Sequence, residues 1–251
     1  MERFQSDSSE ITKIITWFED HYIHATVPPT HAECWNFFTS ISEPLFLWGT
    51  VRRLPIFQLW TQESIQTIAQ DLIRFHAKNV LEVGAGDGKL SYWLSHHLSS
   101  VNIVASDSLQ WAHKNREWKI LQNPPNVLVL DYGDAIQVIQ PDTILSSWMP
   151  LGQDWTSAFR SSVHVQQYAL IGEGQDGAIG HPLAWSEDVE GWQWWENRHF
   201  STKACSRLDF NKHPLSIPSQ SKTQLHWWKK SNYDLSGHAG NVVRSSEIRR
   251  T

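Results

Sequence analysis

Sulfur cross-links are nearly excluded by scarcity: the 251 residues include two cysteines, Cys34 and Cys205, too few for a disulfide framework or a thiolate metal cluster. A reducing, cytoplasmic setting is therefore expected. No H-x-x-x-H or C-x-x-C pair and no aspartate cluster has metal-ligand spacing, so no metal is expected. No G-x-S-x-G elbow is present to support serine hydrolysis. The amino-terminal MERFQSDSSEITK is acidic and polar where an export signal carries a basic start and an apolar run. The longest apolar stretch, 34–51, is broken by Glu43 and Pro44, whereas a membrane helix needs ~20 consecutive apolar residues. Basic excess is missing too. Lys plus Arg number 21 against 26 Asp plus Glu, a net charge of -5, which gives nucleic acid no electrostatic purchase and leaves a small molecule as the expected partner. What is abundant is tryptophan, 15 in all, a residue whose rigid rings line cores and ligand pockets alike.

Apolar periodicity organises the chain. Ile11, Ile14, Ile15, Phe18 and Tyr22 recur at helical spacing and predict a helix over 8–25, capped by Ser8 or Ser9 and ended by Pro28 and Pro29. An aromatic-rich region follows through Trp35, Phe37, Phe38, Phe46, Trp48, Phe57 and Trp60, interrupted by Pro44 and Pro55. It reads as a helical cap that packs on the main domain or covers a substrate. Ile65, Ile68, Ala69, Leu72 and Ile73 form the next helical stripe. Strands are then predicted at 79–83, 101–106, 126–130, 143–147 and 165–171, with helices near 88–99, 109–118, 133–139 and 153–163 between them. This alternation specifies an α/β fold with a doubly wound, mostly parallel sheet. Segments 199–210 and 223–229 lack a crossover helix and are expected to pair as an antiparallel edge, completing seven strands with an antiparallel last strand. The expected organisation is an N-terminal helical extension over 1–60, a Rossmann-like domain over 61–232 and a tail over 233–251.

The most informative run is Val80-Leu-Glu-Val-Gly-Ala-Gly-Asp-Gly-Lys-Leu90, a strand entering three alternate glycines and then a helix. Gly84, Gly86 and Gly88 permit positive φ and close approach of a ligand, and the helix start directs unpaired N–H groups at that space. A ligand is expected at the carboxyl end of this strand. Glu82, an acid in an apolar strand, needs a partner and is expected to meet a cationic or hydrogen-bond-donating group of the ligand. The spacing differs from the G-x-G-x-x-G of dinucleotide sites.

On Glu82, Gly84, Gly86 and Gly88, which match E/D-x-G-x-G-x-G, the chain resembles the class I S-adenosylmethionine-dependent methyltransferases. The resemblance covers 61–172, with the 199–229 pair similar to the family's sixth and seventh strands, and it implies S-adenosyl-L-methionine as cofactor. It further implies that Ala85 lies within the cofactor loop, that Asp107, with Ser108 beside it, takes the ribose hydroxyls, and that Asp131 or Asp134, with Tyr132 between them, takes the adenine amino group. A helix cap is the competing role for each of these acids. Trp111 could pack on the adenine or in the core.

The resemblance places the methyl acceptor over the fourth and fifth strands, at Ser146-Ser147-Trp148-Met149-Pro150 and Gly172-Glu173-Gly174. Ser147 is assigned to the cofactor site, and Trp148, Met149 and Trp185 to the acceptor. Ser147-Trp-Met-Pro150 resembles only loosely the Asn/Asp-Pro-Pro-aromatic signature of amino-group methyltransferases, since Met149 stands for its first proline and a serine for its amide or acid. Asp154 is either a cap or a substrate ligand. The glycine-rich loop 172–185 offers His181 and Glu173 as general bases, or as loop-stabilising residues, with Asp176 nearby. Trp185, Trp192, Trp194 and Trp195 can supply an apolar floor, a core or a contact with another subunit. The expected function is methyl transfer to a small organic molecule of hydrophobic or aromatic character. The alternatives are a non-catalytic or partner-dependent binding module acting on a protein or peptide, and a nucleotide-dependent oxidoreductase.

Overall fold

The computed structural model describes residues 8–41, 58–110, 126–174, 180–206 and 223–231. Trp111, Asp176, Phe46, Trp48, Phe57 and the segments 207–222 and 232–251 lie outside the described residues. Helix α1 spans Ser8–Phe18 and passes into a wider π turn over Glu19–Ile23, so the amphipathic first element ends before Pro28. Helix α2, His31–Thr39, opens on a capping box in which Thr30 Oγ1 accepts from Glu33 N at 3.1 Å and Glu33 Oε2 accepts from Thr30 N at 2.7 Å. Thr61 and Ser64 build the same reciprocal cap on α3, Gln62–Arg74. Ile65, Ile68, Ala69 and Leu72 of its apolar stripe are buried, whereas Ile73, expected with them, is 60% exposed.

Strand β1, Gln58–Leu59, pairs with β8, Cys205–Ser206, in a small separate sheet. The main sheet contains β2 (Asn79–Val83), β3 (Asn102–Asp107), β4 (Val127–Val129), β5 (Thr143–Ser147), β6 (Gln167–Gly172), β7 (Trp192–Glu196) and β9 (Gln224–Lys230), in the order β4-β3-β2-β5-β6-β9-β7. The first five are mutually parallel, and β9 runs antiparallel between β6 and β7. Parallel neighbours require crossovers, which α4 (Lys89–His97), α5 (Tyr132–Ile139) and α6 (Thr156–Ser161) provide within the described residues. The seven-stranded, mostly parallel architecture agrees with the sequence reading.

One strand assignment is corrected. The partner of β9 is Trp192–Glu196, and the expected strand at 199–210 begins instead as a helical turn, Arg198–Ser201, followed by the two residues of β8. Asn197 forces that turn: its Oδ1 accepts from Phe200 N, while its Nδ2 donates to the buried Asp71 at 2.6 Å. Nor do Trp192, Trp194 and Trp195 make one floor. Strand alternation sends Trp192 and Trp194 to one face, whereas Trp195 goes to the other, where it stacks on Trp227 at 6.2 Å.

The N-terminal helices share a core with one face of the sheet. Ile14, Trp17, Phe18, Tyr22, Phe37 and Phe38 are continuous with Leu72, Trp93 and Trp227. Trp17 stacks on Phe37 at 4.5 Å, and Tyr22 meets Trp93 edge-on at 5.2 Å. Among the described residues no helix is long and apolar enough to cross a membrane.

Candidate cofactor and acceptor site

Between β2 and α4 the backbone turns through Gly84, Gly86 and Gly88 with φ of 66°, 57° and 69°. Non-glycine residues adopt this left-handed region only with strain. The three glycines face different surroundings. A Cβ at Gly84 would stand 2.9 Å from the Trp155 ring and one at Gly88 2.5 Å from Val127 Cγ2, but a Cβ at Gly86 would meet nothing within 4 Å. Gly84 and Gly88 thus serve close packing within the protein, and Gly86 alone opens onto free space.

Asp107 fixes that opening. Buried at the end of β3, its Oδ2 accepts from Gly86 N at 2.8 Å and its Oδ1 from Leu109 N at 2.6 Å. Ala85 N donates to Ser106 O at 3.0 Å, so two successive residues of the loop are tied to β3. Ser108, half-buried, lies between the two anchors.

The donor that meets Glu82 belongs to the protein. Ser91 Oγ donates to Glu82 Oε2 at 2.6 Å and Ser91 N donates to the same atom at 3.1 Å, binding α4 to β2. Burial pushes the Glu82 carboxyl up to about 8 against the pull of Ser91, and the carboxylates of Asp87 and Asp107 add to the rise. Asp87 is itself raised by burial to about 6. Beside them, burial and the charges of Asp87 and Glu82 push the Tyr22 hydroxyl well above its ordinary range.

Two groups that the motifs did not reveal come from the N-terminal region. Tyr22 Oη donates to Gln58 O at 3.2 Å, and Gln58 Oε1 accepts from Trp148 Nε1 at 3.2 Å. Trp148, at φ 56°, is thereby turned toward β1. Lys89 Nζ donates to Ile23 O at 2.8 Å, pinning the π turn to the first residue of α4. Nothing in sequence spacing links residue 22 or 58 to the glycine loop.

The acids after β4 resolve into a cap and a solvent-facing residue. Asp131 Oδ1 accepts from Gly133 N at 2.8 Å and Asp134 N at 3.0 Å, making it the N-cap of α5, and both Asp131 and Asp134 are exposed. Tyr132 stacks on Trp155 at 5.0 Å, so these two rings wall the Gly84 side of the loop. Asp154 precedes the N-cap Trp155 and turns the chain into α6, accepting from Thr156 N and Oγ1 at 2.9 and 2.6 Å.

The acceptor-side loops are stapled together. Gly180 N donates to Met149 O at 2.9 Å, Gly152 N to Gly180 O at 2.8 Å and His181 N to Gln153 O at 2.7 Å. Met149 and Trp185 are buried in one cluster, and Ser147 is half-buried at the end of β5. His181 Nδ1 accepts from Leu183 N at 3.2 Å, capping the 3₁₀ turn Pro182–Trp185, so the neutral ring carries its proton on Nε2 and the general base expected at His181 is not offered there. Glu173 is half-buried just beyond β6.

Counted along the chain, the strands of the main sheet lie in the order 3-2-1-4-5-7-6. This is the seven-stranded, mostly parallel sheet that the resemblance to the class I methyltransferases implies. No family model and no curated protein matches the chain. Solved structures similar in fold include the methyltransferase domain of bacterial CtHen1, at 12% identity and a TM-score of 0.43 over 67% of this chain and 97% of that one. Plantazolicin methyltransferase BpumL, solved with a monoazolic desmethylPZN analog and SAH, shows 11% identity and a TM-score of 0.37 over 88% and 95%. Precorrin-6y C5,15-methyltransferase from Geobacter metallireducens shows 12% and 0.40 over 68% and 88%. Likeness this distant leaves the chemistry to be argued from the site itself.

Proposed function

We propose that the chain binds S-adenosyl-L-methionine and transfers its methyl group to a small organic molecule of apolar or aromatic character. The observation that carries this reading is Gly86, whose Cβ direction is open and whose N–H is held by a buried carboxylate at the end of the adjacent strand. The residues fit the cofactor: a bare loop for the adenosyl group to approach, the Asp107 carboxylate beside it, of the chemistry that matches a ribose diol, and the Tyr132–Trp155 pair as a flat wall. When bound, the cofactor supplies an electrophilic methyl carbon on a sulfonium. The chain's contribution is positioning and exclusion of water. Glu82 acts by holding α4 against β2 through Ser91, and Asp131 by starting α5. Met149, Trp148 and Trp185 border the acceptor, and a proton leaving it is taken by Glu173.

Titration calorimetry with S-adenosylhomocysteine tests the reading. Gly86→Val fills the open space and is expected to weaken binding by at least ~10-fold, equivalent to ~1.4 kcal/mol, in a protein that remains folded. Unchanged affinity would remove the loop from the site.

A further inference from the structure

On the β6 side of the tryptophan-rich edge, two buried N–H groups on touching rings have no acceptor. The first is on His226. Trp194 Nε1 donates to His226 Nδ1 at 3.2 Å. An indole nitrogen only donates, so Nδ1 supplies the lone pair and the proton of the neutral ring sits on Nε2. Burial keeps this ring neutral, pulling its pKa down to about 4 against the opposing charge of Glu196. The Nε2–H is enclosed and unpartnered. The second group is Trp185 Nε1–H, also enclosed and unpartnered, on a ring perpendicular to His226 with centroids 5.3 Å apart.

Both side chains are more than nine-tenths buried, and a buried donor without an acceptor costs about 1–3 kcal/mol. Neighbouring indoles avoid that cost. Trp228 donates to Ser186 O, Trp227 to Asp71, Trp148 to Gln58 and Trp155 to Gln153. Trp93 Nε1 is also unpartnered, but it lies in the other core, beneath the Lys89 ammonium. The pair on Trp185 and His226 adjoins the acceptor loops. A Cβ at Gly180 would lie 3.3 Å from Trp185 Nε1 and 3.7 Å from Met149 Sδ. His226 stands opposite Leu170, which stands opposite Ser146, and the buried Ser146 Oγ in that cross-strand row is a third polar atom without a partner.

We propose that Trp185 Nε1–H and His226 Nε2–H form a donor pair that receives an oxygen of the methyl acceptor. The acceptor is then a flat molecule bearing a carbonyl or carboxylate oxygen. This rests on the methyl-transfer reading. Two neutral donors favour an oxygen and offer nothing to an ammonium group, while the surrounding rings suit an aromatic body.

The test uses ¹⁵N-labelled full-length chain saturated with S-adenosylhomocysteine and titrated with benzamide, benzoate or benzylamine. The Trp185 indole N–H resonance, assigned from Trp185→Phe, is expected to move downfield with benzamide and benzoate and to ignore benzylamine. In Trp185→Phe, affinity for the two oxygen-bearing probes should fall about two- to tenfold, the worth of one neutral hydrogen bond. An indole resonance that none of the probes moves would overturn the donor pair, as would unchanged probe affinity in a folded Trp185→Phe protein. Failure to bind S-adenosylhomocysteine counts against the methyl-transfer reading, and the donor pair is then judged by the same indole shift without it.

Discussion

Two neighbouring residues of β9, Trp227 and His226, treat their buried nitrogen donors in opposite ways. Trp227 faces α3, and Asp71 Oδ2 accepts both its indole N–H at 2.9 Å and the Asn197 side-chain amide at 2.6 Å. One residue earlier, His226 faces the acceptor loops, and there its Nε2–H and the indole of Trp185 remain without acceptors. Both faces are tryptophan-rich and well packed, so hydrophobicity does not distinguish them. What separates these two residues is whether the chain supplies an acceptor: Asp71 serves Trp227, whereas the His226 Nε2–H is the donor proposed above to meet a ligand oxygen.

The comparison breaks most sharply at Asp71. Asp71→Ala strands two buried donors and is expected to cost about 2–4 kcal/mol in urea unfolding, whereas Asp71→Asn, which keeps an acceptor oxygen, should cost less. Equal losses would mean that the carboxylate is not a clamp.

The same scaffold face contains Glu82, whose carboxyl sits at about 8 in the folded protein against an ordinary 4.5. Between those values the folded chain holds a proton that the unfolded chain has released. Its contribution to stability is therefore complete below about pH 4.5 and is lost as pH rises toward 8. The slope approaches ~1.4 kcal/mol per pH unit, or about 2 kcal/mol between pH 6 and 7.5. Asp87, raised to about 6, adds a fall of the same sign at lower pH. Glu82→Gln should flatten the upper part of the profile measured by denaturant midpoints, and a wild-type midpoint that stays level from pH 6 to 7.5 contradicts the buried protonated acid.

A similar division of labour runs through the glycine loop. Gly84→Ala and Gly86→Ala each incur about 1 kcal/mol of left-handed strain. Only Gly84→Ala also drives a methyl group into the Trp155 ring at 2.9 Å. Melting temperature should therefore drop further for Gly84→Ala, and Gly86→Ala should lose more cofactor affinity than stability. The reverse ranking would exchange the packing and binding roles assigned to the two positions.

Much of this arrangement was legible in residue order. The strands at 79–83 and 143–147 agree with the apolar runs that predicted them, because parallel strands buried on both faces show as continuous hydrophobic segments. The edge was harder. Trp192-Gln-Trp-Trp-Glu196 carries two adjacent tryptophans whose rings enter different cores, so it shows no clean period of two, while HFSTKACSRLDF imitates one. At the site, glycine spacing and the acid after β3 revealed the loop and its anchor. The separate duties of Gly84 and Gly86 depend on Trp155, about 70 residues away, and Tyr22 and Gln58 arrive through tertiary packing alone. His226 was invisible for the same reason: its tautomer depends on Trp194 across a strand pair.

The smallest expected effect separates two acids that look alike in sequence. Asp107 and Asp131 each accept two backbone N–H bonds, yet Asp107 is buried with Gly86 among its donors, and Asp131 is exposed at the head of α5. If Asp131 serves only as a cap, Asp131→Ala costs about 1 kcal/mol and Asp131→Asn, which caps equally well, almost nothing. S-adenosylhomocysteine affinity should be the same in both variants and in the wild type. A loss of affinity in Asp131→Asn at unchanged stability would give the carboxylate a ligand contact and favour Asp131 over Asp134 for the adenine position.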